Sequence, residues 1–313
     1  MTRLDAPFPW FGGKRKVASE VWSRFGDVEN YVEPFFGSGA VLLGRPDPSG
    51  NETINDLDGY VANFWRAVKA APDTVATHAD NPVNENDLHA RHVWLLQQRE
   101  DLRARLEGDA DWYDPKIAGW WAWGICCWIG SGFCSGNGPW VVDDDRQLVH
   151  LGDNGRGVNR QLGLVEWFAA LSDRLRRVRV CSGDWSRVCG PSVTFKHGLT
   201  GVFLDPPYAD TANRQADLYN EDSQDVAHAV REWALANGDN PLLRIALCGY
   251  EGEHDMPTSW AVHEWSSGGG YGSQAVERTE NGKRERIWFS RACLAAEQPD
   301  LFAMSWPFMA GRQ

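Results

Sequence analysis

The sequence predicts an α/β fold in which two halves of one doubly wound, Rossmann-like sheet flank an inserted helical block. Three observations support this prediction. Before residue 72, a strand, a glycine turn, a helix, a second strand, an acid and a second helix follow one another. Strand-like segments then return after residue 177. The stretch between them carries helical and glycine-rich patterns instead.

The first half of the sheet, residues 1–72, supplies two strand-helix units. The turn 34–39 follows the first strand, and Asp56 follows the second. Ligands of a doubly wound sheet bind beyond the carboxyl ends of its strands, which is where both features are expected. The predicted elements are helices over 13–25, from 40 and over 57–70, with strands over 31–33 and 51–55.

The block 73–176 interrupts this order and is predicted to be an inserted, mainly helical domain with a glycine-rich loop. The second half of the sheet follows over 177–293, and 294–313 form a C-terminal tail. A tryptophan cluster in the block is predicted to be core. The predicted elements are helices over 86–106, 115–128 and 222–236, a glycine-rich stretch over 131–145, and strands over 178–181, 202–204, 243–248 and 286–290.

Composition and charge exclude several classes of protein. With 313 residues, 42% of them hydrophobic, the chain can fill a globular core. Its net charge of -12 argues against a protein that coats nucleic acid indiscriminately. No apolar run approaches the about 20 residues of a membrane helix, and no signal peptide is visible. The seven cysteines lack CxxC spacing, which predicts a cytoplasmic protein without a metal site.

The segment 202–208 ends a predicted strand in hydrogen-bond acceptors and an aromatic ring. Pro206 and Pro207 each remove a backbone donor and stiffen the chain. Their carbonyls and the Asp205 carboxylate can therefore converge on one small target, such as an amino group on an aromatic ring. Tyr208 can stack on that ring. Taken alone, the motif is equally a strand-ending turn.

Two further segments are candidates for ligand binding. Gly37 and Gly39 let the backbone approach a ligand closely, and Asp56 can accept hydrogen bonds from ribose hydroxyls. The alternative role of Asp56 is to cap the helix that follows it. The segment 10–14, Trp-Phe-Gly-Gly-Lys, can receive an anion such as a carboxylate at a helix start. A plain helix start with a solvated Lys14 is the alternative.

In this order, the motifs resemble the Dam-type, D12-class DNA adenine N6-methyltransferases. The resemblance runs from about residue 8 to 290 and rests on 10–14, 33–39 (Glu-Pro-Phe-Phe-Gly-Ser-Gly), 54–56 (Ile-Asn-Asp) and 205–208 (Asp-Pro-Pro-Tyr). It implies S-adenosylmethionine as cofactor, double-stranded DNA as substrate, base flipping, and a target recognition domain in the inserted block. The segment 126–134 departs from the family pattern, as does 247–250, and this puts any inherited recognition sequence in doubt.

The resemblance also implies roles for individual residues. Two alternatives stay open: an N4-cytosine methyltransferase, which usually carries Ser in place of Asp205, and an inactive relative that only binds DNA or cofactor. The implied catalytic residues are Asp205, Pro206, Pro207 and Tyr208, and the implied cofactor contacts are Trp10, Gly12, Gly13, Lys14, Glu33, Pro34, Phe35, Phe36, Gly37, Ser38, Gly39, Asp56, Asp184 and Asp205.

Contacts with DNA and with a further partner are predicted from local composition. The segment 156–187 carries seven Arg against three acids, which suits phosphate contacts as well as a solvated helix surface. The glycine-rich loop 130–140 is a candidate to fill the space that a flipped base leaves. The tail segment Gln298–Phe302 resembles the peptide by which replication proteins bind the sliding clamp. The candidate DNA contacts are Arg156, Arg160, Arg174, Arg176 and Arg177.

Overall fold

The structure is a computed structural model. Its described residues form one sheet with helices on both faces. The tail segment Gln298–Phe302, most of the loop 130–140 and Phe11, Gly12 and Arg156 lie outside the described residues, as does the side chain of Arg160. The described residues are 4–10, 13–128, 133–134, 157–160, 163–208, 222–266 and 284–296.

The sheet has seven strands in the order β3-β2-β1-β4-β5-β7-β6. Strands β1 to β5 are parallel, whereas β7 runs antiparallel to both of its neighbours. The chain order therefore reverses between β1 and β4, where open α/β sheets bind their ligands. The strands are β1 (Asn30–Glu33), β2 (Asn51–Asp56), β3 (Val178–Ser182), β4 (Thr200–Leu204), β5 (Leu243–Tyr250), β6 (Ala261–Glu264) and β7 (Glu285–Phe289).

Three of the described helices, α3, α5 and α6, begin at a side-chain cap, supplied by Asp58, Asn84 and Asp114. Asp58 accepts a hydrogen bond from Tyr60 N at the start of α3, and Asp114 caps α6 in the same way. None of the helices in the described ranges has both the length and the apolarity needed to cross a bilayer. The helices are α1 (Ala18–Phe25), α2 (Ala40–Leu43), α3 (Gly59–Ala70), α4 (Pro72–Ala79), α5 (Glu85–Gly108), α6 (Pro115–Cys127), α7 (Leu164–Leu175) and α8 (Asp222–Asn237), with short 3-10 helices at Lys14–Lys16, Gly157–Arg160, Trp185–Val188 and Phe195–His197.

Alternating residues of the central strands point to two different helical layers. In β1, Tyr31 packs in the layer formed by α1 to α7, while the next residue, Val32, packs in the layer that holds α8. Phe203 and Val202 of β4 divide in the same way. Because both faces are buried, β4 (Thr-Gly-Val-Phe-Leu) is a largely apolar run, as is typical of parallel sheets.

The described helices of block 73–176 share the core of the first half of the sheet. The indole of Trp121 stacks on Tyr60 of α3 with ring centroids 6.3 Å apart, and Phe168 of α7 packs edge-on against Phe64. Trp121 and Trp123 are fully buried, as predicted for the tryptophan cluster. The α/β class of the prediction is confirmed, and a separate recognition domain in this block stays a prediction.

Several elements differ from the sequence prediction. The predicted helix over 13–25 is a 3-10 turn followed by α1. The helices α4 and α7 and the strand β6 were not predicted. The strand β6 escapes the pattern because it lies at the sheet edge, where three of its four residues are exposed and no apolar run is required.

Candidate active site

The register of the sheet brings three acids to its carboxyl edge. Glu33 ends β1 opposite Ile54, two residues before Asp56 ends β2. Val32 pairs with Val202 in β4, so that Asp205 follows its strand at the same edge. Residues that lie far apart in the sequence therefore face one site, as the doubly wound fold predicts.

At this edge, Lys14, Asp205, Tyr208 and Glu285 form a hydrogen-bonded group that we call the Lys14 cluster. The Lys14 ammonium lies 3.0 Å from Asp205 Oδ1 and donates to the Tyr208 hydroxyl at 2.8 Å. The Tyr208 hydroxyl oxygen is 3.0 Å from Asp205 Oδ1 and 3.0 Å from Glu285 Oε2. The Lys14 ammonium is also 3.5 Å from Glu285 Oε2. One cation thus serves two acids.

Burial controls the ionisation of the Lys14 cluster. Burial opposes the charge on Lys14, yet the Asp205 and Glu285 carboxylates together raise its pKa above the usual value. Burial raises the pKa of Glu285, and Lys14 partly offsets that rise. Burial and the two neighbouring acids raise the pKa of Tyr208 well above its usual value. Near neutral pH, Lys14 is therefore charged and the phenol keeps its proton.

The Tyr208 ring is covered in this conformation. Its exposed fraction is 9%. The ring of Tyr250 meets it edge-on with centroids 4.6 Å apart, and the Lys14 ammonium lies 5.2 Å from the ring centroid. Stacking of an aromatic base on Tyr208, as the sequence predicts, therefore requires the neighbouring residues to move aside.

The glycine turn between β1 and α2 is held against a tryptophan. Gly37 has φ +48°, and a Cβ at this position would lie 2.4 Å from the Trp10 indole. Trp65 Nε1 donates to the Gly37 carbonyl at 2.9 Å. Gly39 follows with φ +72° at the start of α2. The left-handed backbone and the contact with Trp10 both require glycine at position 37.

Asp56 faces the glycine turn and does not cap α3, because Asp58 takes that role. Its carboxylate accepts hydrogen bonds from Gly37 N and from Asp58 N, each at 2.9 Å. Burial and the nearby Asp58 carboxylate raise the pKa of Asp56 to about 7, although these backbone donors oppose the rise. Asp56 is thus a half-buried acid beside a turn that lets a ligand approach.

Asp184 lies on the segment that follows β3, next to Asp56 along the edge. Gly183 N donates to the Asp56 carbonyl at 3.1 Å, and Asn55 Nδ2 donates to the Gly183 carbonyl at 2.9 Å. Asp184 itself is exposed and accepts from Ser186 N. These contacts place Asp184 on the rim of the carboxyl edge.

A cleft of about 280 Å³, open to solvent, brings many of the predicted cofactor contacts together. Glu33 is 2% exposed there, and burial raises its pKa well above the usual value. A larger cavity of about 550 Å³ lies at the opposite, amino edge of the sheet, remote from Asp205. The cleft at the carboxyl edge is lined by Trp10, Gly13, Lys14, Glu33, Phe35, Phe36, Ser38, Ala40, Val41, Phe203 and Asp205.

Sequence reasoning missed Glu285, Tyr250 and Trp265. The Trp265 ring lies 5.4 Å from the Lys14 ammonium, which places the lysine between this indole and the Tyr208 ring. The available signal for Glu285 was an acid at the start of a short strand, Glu-Arg-Ile-Trp-Phe, that ends in three apolar residues. An acid in a buried strand requires a polar partner, which points to a site.

Three of the arginines predicted to contact DNA, Arg174, Arg176 and Arg177, lie away from the carboxyl edge. Arg174 forms two hydrogen bonds with the buried carboxylate of Glu52, at 2.6 and 2.7 Å. Arg176 pairs with Asp173 on the exposed end of α7. Because α7 leads into the start of β3, Arg174, Arg176 and Arg177 lie at the amino edge, opposite to Asp205. The geometry therefore argues against a phosphate contact by Arg174 near the reacting base.

The chemistry of the carboxyl edge fits S-adenosylmethionine. Acids outnumber cations there, since Glu33, Asp56 and Asp205 accompany one lysine. Such an excess of acceptor groups suits the donor hydroxyls of a ribose, while burial raises the pKa values of Glu33 and Asp56 and so reduces the negative charge near neutral pH. The Trp10 indole, which lines the cleft, fills the space that a Cβ on Gly37 would occupy.

Comparison with known proteins agrees with this site. Residues 10–108 match the family described as D12 class N6 adenine-specific DNA methyltransferase. This confirms the family resemblance predicted from the motifs, over a range that contains the glycine turn and Asp56. Asp205 and Tyr208 lie beyond the matched range. No curated protein matches the chain.

Proposed function

We propose that the chain transfers a methyl group from S-adenosylmethionine to the N6 amino group of adenine in double-stranded DNA. The family matched by residues 10–108 implies DNA methylation. The observation that supports the full proposal is the juxtaposition of Asp205 with Lys14 and Glu33 in one cleft. When bound, the cofactor supplies a methyl group on a sulfonium, ready for attack by an amine.

On the cofactor side, the residues of the first half of the sheet bind and orient. Asp56 accepts hydrogen bonds from the ribose hydroxyls, for which its position at the end of β2 is suited. The turn at Gly37 packs against the Trp10 indole, which lines the cleft. Asp184, on the neighbouring rim, is exposed and can accept from an adenine amino group.

On the base side, Asp205 receives the amine. A base amine in a duplex is paired and stacked, so the base must leave the helix to reach the site. Asp205 Oδ1 is held by Lys14 and Tyr208. Its other oxygen and the Pro206 carbonyl are then the acceptors for the two N6 hydrogens, which directs the nitrogen lone pair toward the methyl group.

Electrostatics favour the same assignment. The attacking amine develops positive charge, and a carboxylate within hydrogen-bond distance stabilises it. Lys14 pairs with Asp205 without occupying both oxygens, because its ammonium contacts Oδ1. The Tyr208 ring stacks on the base once the ring is uncovered. DNA contacts by the block 73–176, and by Arg156, Arg160, Arg176 and Arg177, belong to this proposal as well.

The test is methyl transfer to unmethylated plasmid DNA from radiolabelled cofactor, followed by digestion and mass identification of the nucleoside. We expect N6-methyladenine from the wild type. Asp205→Asn is expected to lower the rate at least about 1000-fold, as found when a preorganised electrostatic group is removed. Asp239→Asn is the control, because that carboxyl is 85% exposed and remote from the cleft.

Two results would contradict the proposal. If the product is N4-methylcytosine, the substrate base is cytosine and not adenine. If Asp205→Asn reacts at the wild-type rate, Asp205 has no part in the reaction, even when the product is N6-methyladenine.

A further inference from the structure

Glu285 is a buried acid for which none of the sequence motifs accounts. It begins β7, the strand antiparallel to β5, and only 3% of its surface is exposed. Its Oε2 atom lies 3.0 Å from the Tyr208 hydroxyl and 3.5 Å from the Lys14 ammonium. A residue 77 positions after Tyr208 thus completes the polar contacts of the reacting edge.

The Lys14 cluster has more acceptors than hydrogens to fill them. The phenol of Tyr208 has one hydrogen, yet both Asp205 Oδ1 and Glu285 Oε2 lie 3.0 Å from its oxygen. The two carboxyls also share the single ammonium of Lys14. Lys14 has three hydrogens, one for each of its contacts with Asp205, Tyr208 and Glu285, so the two carboxyls compete only for the Tyr208 hydrogen. When Glu285 accepts that hydrogen, Asp205 loses it, so Glu285 affects how Asp205 is held.

A purely structural role explains Glu285 poorly. Removing a carboxylate from water costs free energy, and this cost is recovered only when its acceptor sites are well filled. Contacts to Glu285 Oε1 are absent from the side-chain hydrogen bonds of the described residues, and burial raises the pKa of this acid. Removing Glu285 leaves no unpaired buried charge, because Lys14 keeps its pair with Asp205 at 3.0 Å.

We propose that Glu285 is a positioning residue of the methyl-transfer site. It anchors the Tyr208 hydroxyl and shares the Lys14 ammonium. Asp205 thereby keeps one oxygen free of partners from the described part of the chain, and this oxygen receives the base amine. This inference rests on the proposed function, since it assigns Glu285 a part in placing Asp205 and Tyr208 for that reaction.

Glu285→Gln separates this role from a structural one, because the amide has the same size but no charge. The amide can donate to oxygens of the cluster, which changes the hydrogen bonds that position Asp205 and Tyr208. Loss of a charged hydrogen bond predicts a kcat at least about tenfold lower. The cofactor affinity is expected to stay within about twofold, because Glu285 lies outside the residues that line the cleft. The melting temperature is expected to stay equal or rise.

The experiment compares full-length wild type, Glu285→Gln and the control Glu264→Gln. The Glu264 carboxyl lies on neighbouring β6, is 75% exposed and approaches Arg286 at 3.8 Å. The measurements are single-turnover methyl transfer to unmethylated DNA, calorimetric binding of S-adenosylhomocysteine, and thermal unfolding. NMR of tyrosine labelled with ¹³C at Cζ adds a readout without turnover. The Tyr208 signal, identified by its loss in Tyr208→Phe, is expected to shift in Glu285→Gln alone.

The outcomes separate this inference from the function on which it rests. Failure of the wild type to methylate adenine would refute the proposed function, while the NMR shift would still report the Glu285 hydrogen bond. With an active wild type, an unchanged rate in Glu285→Gln would overturn the inference. Unfolding of that variant, or a lower melting temperature together with weaker cofactor binding, would also overturn it, because the carboxylate would then serve the fold.

Discussion

The two edges of the sheet each bury charged side chains, but they balance them differently. At the amino edge, Arg45 and Arg174 both pair with Glu52, so that each carboxylate oxygen accepts from a guanidinium. We call these three residues the Glu52 network. At the carboxyl edge, the Lys14 cluster has one cation for two acids. In the Glu52 network, guanidinium groups of the protein fill both carboxylate oxygens. In the Lys14 cluster, the acceptor sites of the carboxyl oxygens outnumber the hydrogens that the cluster can donate.

This difference separates a structural ion pair from a site. A buried carboxylate with filled acceptor sites joins elements, here β2 to the helices α2 and α7. Unfilled hydrogen-bond acceptors lower the stability of the fold, as do buried acids with a raised pKa such as Glu285 and Asp56. Proteins retain such groups at sites where a ligand binds them. The comparison predicts that changes at the amino edge alter stability and that changes at the carboxyl edge alter binding and rate.

The largest stability effect is expected for Glu52→Ala. The change leaves the buried guanidinium of Arg45 and the half-buried one of Arg174 without a carboxylate. Breaking a buried pair by removing one partner costs about 3–5 kcal/mol, to be measured as the free energy of unfolding in urea. Asp101→Ala is the control, since its pair with Arg105 is exposed and is worth about 1 kcal/mol at most. Equal losses in the two variants would contradict the comparison.

The next effect in size is expected for Gly37→Ala, at the carboxyl edge. The substituted residue would have to keep φ +48° with its Cβ against the Trp10 indole. Strain of about 1–3 kcal/mol per residue held in a rare conformation displaces the turn from Asp56, and S-adenosylhomocysteine binding is expected to weaken about 10- to 100-fold.

Calorimetry measures this change in affinity. Gly190→Ala is the matched control, because a Cβ there meets nothing within 4 Å. If both variants bound the cofactor product as tightly as the wild type, the glycine turn would not belong to the binding edge.

The smallest effect is a pH dependence that follows from Asp56. Its pKa of about 7 means that the carboxylate forms mainly above neutral pH. Since the ionised form accepts ribose hydroxyls best, S-adenosylhomocysteine affinity is expected to rise about tenfold from pH 6 to pH 8. In the unliganded protein the sign is opposite: the folded chain holds this proton more tightly than the unfolded chain, so stability falls as pH rises toward 7.

Two variants check the assignment of this pH dependence. Asp56→Asn is expected to remove the rise in affinity. Asp58→Asn, which keeps a capping side chain at α3 but removes the neighbouring negative charge, is expected to lower its midpoint. A midpoint that stays in place in Asp58→Asn and a rise that persists in Asp56→Asn would assign the titration to another group.

Much of the fold was predictable because its signals are local. The buried strands Thr200–Leu204 and Leu243–Tyr250 are apolar runs, and a parallel sheet with two covered faces requires such runs. The helix α7 was missed although its buried residues Leu164, Phe168, Leu171 and Leu175 recur at helical spacing. The edge strand β6 was missed because three of its four residues are exposed, which leaves a weak periodic signal. The DNA contacts expected of Arg174 and its neighbours were predicted from local charge. Local charge does not indicate which edge of the sheet a residue occupies.

The sequence by itself determined the chemistry of the reacting edge: a turn that only glycine allows, an acid after each of two strands, and a stiff Asp205-Pro206 acceptor pair. These are properties of short segments, set by backbone sterics and side-chain type. Only the tertiary structure decided which distant groups complete them. Glu285 reaches Tyr208 through the antiparallel pairing of β7 with β5, and Lys14 turns inward because two buried acids attract its ammonium more strongly than burial repels it.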